Sequence, residues 1–395
     1  MPTRTGSHTT KPVIALDGPS ALALYRDRAA LVAHEPDERR TGRDSPEDYD
    51  VNKLDWLSDE DVASSLAAEN AFGHRAQKDD SPAEQERKGL VPLKRSRTRQ
   101  FSTCASRSRD LKLIPYEALG ISPPSTALPL HILVPNASAK RRVRNVHQRS
   151  CTHKVPSNSL RWLGDHVLVP SPELTFLLLA QSLDLAELTA IGMELCGHYR
   201  LTGATPANPL HSRTVVYNCS ALTSPHKIAR LLERAEDFPG VLKAQRACRH
   251  MEANAASPME TILYLLLCLP RHLGGYGLPH PMLNAKRKVN EEAEAFTFAH
   301  TLVPDLYWPE AMLDMEYDSD EFHSDPESLR AGARRTLALR AMHVDVISMT
   351  YDVVHDEDSF HGAARMVARK LHKRLYKTDA ASQKKRAQLR AGLFR

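Results

Sequence analysis

The chain has 395 residues, 42% of them hydrophobic and 26% charged, with a formal net charge of +5. That length has room for two or three domains, but the composition leaves part of the chain without the apolar content of a packed core. The six cysteines (Cys104, Cys151, Cys196, Cys219, Cys248 and Cys268) are scattered, with no pair at zinc-ligand spacing, and read as reduced thiols. No apolar signal region follows the start and the apolar run 262–269 is too short to span a bilayer, so the expectation is a soluble, cytoplasmic protein with no membrane partner.

Residues 1–109 are rich in Arg, Asp, Ser, Thr and Pro and poor in aromatics, and read as largely disordered. The exception is 13–32, where Gly18-Pro19-Ser20-Ala21-Leu22 opens a short capped helix over 18–32. Residues 110–220 read as an α+β, mostly helical binding module. Its parts are an apolar strand over 128–134, a basic cluster (Lys140, Arg141, Arg142, Arg144) and a strand over 166–169. A helix opened by Ser171-Pro172-Glu173 follows, and a second runs from Leu185 towards Tyr199. Residues 221–256 are helical and basic, interrupted at Pro239-Gly240, and read as a linker between domains.

The third unit, 257–377, starts at Ser257-Pro258-Met259-Glu260, a capping box with Pro at the first helical position. A turn-rich loop around Gly274-Gly275 leads to a strand over 283–289. After an acidic hairpin, Ser324-Asp325-Pro326-Glu327 caps a helix to about 342 that carries Arg330, Arg334, Arg335 and Arg340. A strand over 344–350 and a helix over 359–376 complete the order α-β-β-β-α-β. The stretch 365–395 is strongly basic and reads as a solvated helix and a frayed tail, 378–395 being the basic tail, with a nucleic-acid contact as the second reading.

The hairpin is the most informative segment. Two apolar runs flank a tight turn at Trp308-Pro309-Glu310. Strand alternation puts Leu313, Met315 and Tyr317 on one face and Asp314, Glu316 and Asp318 on the other. Three carboxylates along one strand face repel each other unless a cation neutralises them. Asp305, at the end of the preceding strand, reaches the same spot. Hard divalent cations take carboxylate oxygens, so the pattern points to a metal-dependent hydrolase.

In order, Ser257 with Glu260, Asp305, Pro309, Glu316-Tyr317-Asp318, His323, Arg334 or Arg335, and Thr350 resemble the very-short-patch-repair-like endonucleases, within the restriction-endonuclease-like PD-(D/E)XK superfamily. The resemblance covers about the last third of the chain. It implies a restriction-endonuclease-like α/β core, DNA as substrate, and Mg²⁺ or Mn²⁺ held by Asp305, Glu316 and Asp318. The sequence departs from that pattern at Ser319, where Gly is usual, and at Ala331 or Gly332, where an acid is usual; many enzymes of the wider fold carry Lys where Asp318 stands, but this subgroup commonly has Asp there. The segments 128–134 and 171–199 are more distantly similar to the antitoxin component of AbiE-type abortive-infection systems, which implies a DNA- or partner-binding module using Lys140, Arg141 and Arg142.

Several residues admit two roles. His323 is a general acid or a metal ligand in one reading, a surface histidine before a helix cap in the other. Glu260 is an outer carboxylate turned towards the metal, or simply the capping-box acid. Arg334 and Arg335 contact phosphates or pair with the site carboxylates, or line a solvated face. Asp314, Asp320 and Glu321 read as non-ligands that add negative potential. The leading expectation is a metal-dependent DNA endonuclease serving phage defence or repair, working as a homodimer where both strands are cut. The alternative is a catalytically inactive, nuclease-like DNA-binding or antitoxin-type regulator.

Overall fold

The computed structural model describes residues 12–32, 90–101, 104–204, 210, 212, 214–318, 326–375 and 379–394. Much of the segment expected to be disordered, 1–11 and 33–89, lies outside them, as does the cap proposed at Ser324. The architecture is mixed α/β, built on two main sheets that share one core.

The first sheet has six strands in the order β2-β5-β6-β1-β3-β4: β1 (Ile14–Leu16), β2 (Leu93–Ser96), β3 (Leu130–Val134), β4 (Val146–Ser150), β5 (Leu160–Leu163) and β6 (Val167–Pro170). β1 runs parallel to β6 and antiparallel to β3, while β3 and β4 are parallel. Two stretches of the region expected to be largely disordered, β1 and β2, are thus strands of this sheet. Ile14, Ala15 and Leu16 are fully buried in the middle of the sheet, and β2 forms its edge. A three-residue strand flanked by polar sequence is invisible to composition; its apolar side chains are needed because both faces of the sheet are covered. The short helix over 18–32 is α1 (Gly18–Val32), which leaves β1 directly.

Further along come the short α2 (Ser108–Leu111), then α3 (Pro172–Leu179) and α4 (Leu185–Leu195). Ser171 Oγ accepts from Leu174 N, and Asp184 with Glu187 closes a full capping box. A small ribbon of β7 (Arg200–Thr202) and β8 (Thr214–Val216) follows. The expected linker is α5 (Pro225–Glu233) and α6 (Val241–Cys248), and it is no linker. Ile228, Ala229, Leu232, Ala244 and Ala247 are fully buried among α3 and α4. Apolar residues at helical spacing require a partner surface, which a free connector lacks.

The second sheet is β14-β13-β12-β9, from β9 (Met282–Leu283), β12 (Leu306–Trp308), β13 (Leu313–Asp318) and β14 (Asp345–Thr350). Before it stands α7 (Pro258–Cys268), whose Leu263, Tyr264 and Leu267 are fully buried in the same core as Leu306, Leu313 and Met315. α9 (Pro326–Ala341) makes the crossover from β13 to its parallel neighbour β14 and packs Ala338 and Leu339 with Tyr307 and Val344. The strand expected over 283–289 is broken at Asn284, which sits at φ +51°, a left-handed position that Asn tolerates. Its remainder, β10 (Arg287–Lys288), pairs with β11 (Thr301–Leu302) around the short α8 (Glu291–Glu294). The expected turn is a 3₁₀ turn over Pro309–Ala311 closed by Met312 at φ +46°.

α10 (Tyr351–His355) and α11 (Glu357–Lys370) lead to α12 (Ala380–Leu393), where a frayed tail was expected. Leu389 and Leu393 are buried, the Arg386 guanidinium lies 4.2 Å over the Tyr276 ring, and Arg390 Nη2 donates to the carbonyls of Val354 and His355. Reading charge alone hid the apolar stripe; the arginine stems bury while their heads find rings and carbonyls. Among the described residues no helix is long and apolar enough to cross a membrane.

Docking of α12 has a measurable consequence. Leu389→Ala should cost about 2–4 kcal/mol of unfolding free energy in a urea titration, the range for a truncated buried leucine; a loss under about 0.5 kcal/mol would mean that α12 does not belong to the core.

Candidate active site

The site grows from the β12–β13 hairpin. Register pairs Leu306 with Met315 and Tyr307 with Asp314, so Asp305, one residue before β12, lies across from Glu316 and Tyr317. Its Oδ2 accepts from Tyr317 N at 2.9 Å, and its own carbonyl accepts from Asn284 N at 3.0 Å. Alternation places Asp314, Glu316 and Asp318 on the face that α9 covers. Asp318 ends the strand in register with Thr350 and is half-buried.

Arg335 is the cation that the site does contain. From α9 it grips Glu316 with two hydrogen bonds, Nε to Oε2 at 2.9 Å and Nη2 to Oε1 at 2.7 Å. The same Nη2 donates to Val303 O at 2.5 Å and stands 3.9 Å from Asp305 Oδ1. Arg334, one residue earlier and about 100° round the helix, is exposed. Sequence alone left these two undecided, and the helix phase separates them.

Glu260 joins from the first turn of α7. Ser257 Oγ accepts from Glu260 N at 3.1 Å, half of the expected capping box. The Glu260 carboxylate reaches further, taking Ala256 N at 2.8 Å and Asn284 Nδ2 at 2.5 Å. Asn284 was not anticipated; an Asn interrupting an apolar strand pattern was its only trace. The other surprise is Asp314. It is fully buried, and neither carboxylate oxygen accepts a hydrogen bond among the described residues.

Electrostatics follow from this crowding. Burial, then the charges of Glu316 and Glu260, raises Asp305 well above the usual carboxylate range, against the Tyr317 N–H and Arg335. Asp314 is raised well above it too, first by burial and then by its neighbours Glu316 and Asp305. Burial also raises Glu260, against the hydrogen bonds from Ala256 and Asn284. For Arg335 burial works against the charge, but Glu316, Asp305 and Asp314 outweigh it and raise its pKa. Three carboxyl groups, Asp305, Asp314 and Glu316, therefore surround one guanidinium, and burial with mutual repulsion raises the pKa of Asp305 and Asp314.

Oxygen donors of this kind suit Mg²⁺ or Mn²⁺ in chemistry. In the arrangement present, however, Glu316 is turned to Arg335, Asp305 Oδ2 to Tyr317 N, and Glu260 to Ala256 and Asn284. Among the described residues no group of three or more His, Cys, Asp or Glu side chains is placed to hold a metal ion. His323 lies outside the described residues. Lys140, Arg141 and Arg142 are exposed on the loop between β3 and β4, in the other sheet, and Arg141 folds back onto the carbonyls of Ser138 and Lys140. The chain matches no protein-family model, no curated protein and no solved structure.

Raised carboxyl pKa values set a sign for stability. The folded state keeps protons that the unfolded chain releases above about pH 4, so stability falls as pH rises from there through the folded values. Asp314→Asn, which removes one such group at nearly unchanged size, should raise the melting temperature at pH 8 and flatten its decline between pH 4 and 8. A variant that melts lower at pH 8 with an unchanged slope would contradict a protonated Asp314.

Proposed function

We propose that the chain is a metal-dependent DNA endonuclease with a restriction-endonuclease-like core formed by α7, β9, β12, β13, α9 and β14. The observation that carries this reading is the surplus of carboxyl groups at the β12–β13 hairpin, where Asp305 and Glu316 meet beside the fully buried Asp314. Repulsion of this kind costs stability and is retained where function needs it. Asp305 and Glu316, with Asp318, would hold Mg²⁺ or Mn²⁺; a bound dication supplies an acidified water and neutralises charge at the scissile phosphate.

The chain's own residues prepare that chemistry. The Tyr317 N–H sets the rotamer of Asp305, and Arg335 sets that of Glu316. Glu260 and Asn284 tie the first turn of α7 to β9, so the acids sit on rigid elements. Arg334, exposed on α9, is placed for a backbone phosphate, and His323 is the proposed donor of the proton that the leaving oxygen needs. Phage defence or repair in the cytoplasm, and a homodimer for double-strand cuts, belong to the same proposal.

One observation favours a second reading. Both Glu316 oxygens are engaged by Arg335, so a metal ion would have to displace a guanidinium. A nuclease-like domain in which Arg335 permanently replaces the cation would be a DNA-binding or antitoxin-type regulator.

Calorimetry with Mn²⁺ and a plasmid-nicking assay in the same buffer separate the two. The endonuclease reading expects saturable Mn²⁺ binding that Asp305→Ala/Glu316→Ala abolishes, and nicking that Glu316→Ala lowers on the order of 100-fold or more with the fold retained. Neither binding nor nicking by the wild type would leave the regulator.

A further inference from the structure

A cavity of about 460 Å³ lies in the first sheet's half of the molecule, between α1 and the β3–β4 edge. It is separate from the acidic hairpin. Its two walls differ in chemistry. β3 and β4 are parallel with His131 opposite His147 and Leu133 opposite Arg149, so His131, His147 and Arg149 share one face. Against them stand Leu22 and Ala23 of α1, Leu179 at the end of α3 and Leu183 beyond it, with Asp17, Arg26 and Glu187 also in the lining.

The polar wall is incompletely satisfied. The imidazoles of His131 and His147 stack with centroids 4.7 Å apart. His131 Nε2 and Arg149 Nε are buried with no hydrogen-bond partner among the described residues. Arg149 is bonded through its other nitrogens to Asp17 and to Leu178 O. Asp17 is itself committed twice, also accepting from Gly18 N at 2.6 Å. Burial, then His147 and Arg149, lowers the His131 pKa to about 4. An apolar filling would cost nothing here, whereas stacked imidazoles beside a guanidinium leave N–H donors without acceptors.

We propose that this cavity binds a small organic phosphate, with the phosphoryl group on Arg149, His131 and His147 and the body of the ligand along the aliphatic wall of α1. Three donor groups from two strands exceed what a two-oxygen carboxylate takes, and match a phosphoryl group with three acceptor oxygens. The volume falls in the range of small-molecule pockets, and Leu22, Ala23, Leu179 and Leu183 in the lining suit a ligand with an apolar or heteroaromatic part.

The test is calorimetric titration of the full chain with adenosine 5′-monophosphate, inorganic phosphate and adenosine. Saturable binding of the monophosphate, weaker binding of phosphate and none of adenosine are expected. His147→Gln, at an exposed position of an edge strand, should weaken monophosphate binding about tenfold with an unchanged melting temperature. Asp17→Asn/Arg149→Gln removes the guanidinium without stranding a buried charge, and should abolish binding. Equal affinity for phosphate and monophosphate would overturn the organic body. Adenosine binding as well as the monophosphate would overturn the anion wall, as would wild-type affinity in both variants. No binding by the wild type at millimolar concentrations would overturn the site altogether.

Discussion

Arg335 holding Glu316 is the contact on which the C-terminal half turns. It ties α9 to β13 from behind, and the same guanidinium takes Val303 O just ahead of β12. Three chain segments are thereby fixed by one planar group, which suits the fork geometry of arginine and would not suit lysine. The Arg335 side chain is 33% exposed, so the pair's direct contribution is modest, of order 1 kcal/mol after screening. Its larger effect is organisational. It decides which way Glu316 faces and therefore what else the acids can do.

The rest of the hairpin is a compromise between packing and charge. Leu313 and Met315 bury one face of β13 against the core shared with α7, while the opposite face carries acids beneath α9. Asp314 lies in register with Tyr307 and Val346, both beside the cluster of Ala338, Leu339 and Val344. An ionised carboxylate in that setting is costly, which raises the Asp314 pKa. The chain tolerates this because the surrounding apolar contacts are extensive, including the fully buried Trp308, whose indole N–H donates to Pro279 O at 2.8 Å.

Both halves lean on the same core. Ala15 and Leu133 of the first sheet, Ile228 and Ala244 of α5 and α6, and Leu306 and Met315 of the second sheet belong to one apolar cluster. The acidic hairpin and the cavity at the β3–β4 edge are thus carried by a shared scaffold. The cavity is polar on one wall because strand pairing puts His131, His147 and Arg149 side by side, a juxtaposition that depends on register and not on local sequence.

What the sequence by itself determined was local. Ser171-Pro172, Asp184 with Glu187, and Ser257-Pro258 start their helices because cap and first turn lie within a few residues. The alternation over 313–318 puts Asp314 and Glu316 on one face for the same reason, and the break at Pro309 closes the hairpin. Tertiary structure decided everything that depends on distant pairing. It inserted Ile14–Leu16 between β6 and β3, turned the supposed linker into core, docked the basic C-terminus as α12, and chose Arg335 over Arg334. It also recruited Asn284 and buried Asp314. A residue's neighbours a hundred positions away are set by how amphipathic faces fit together, and only the assembled core specifies that fit.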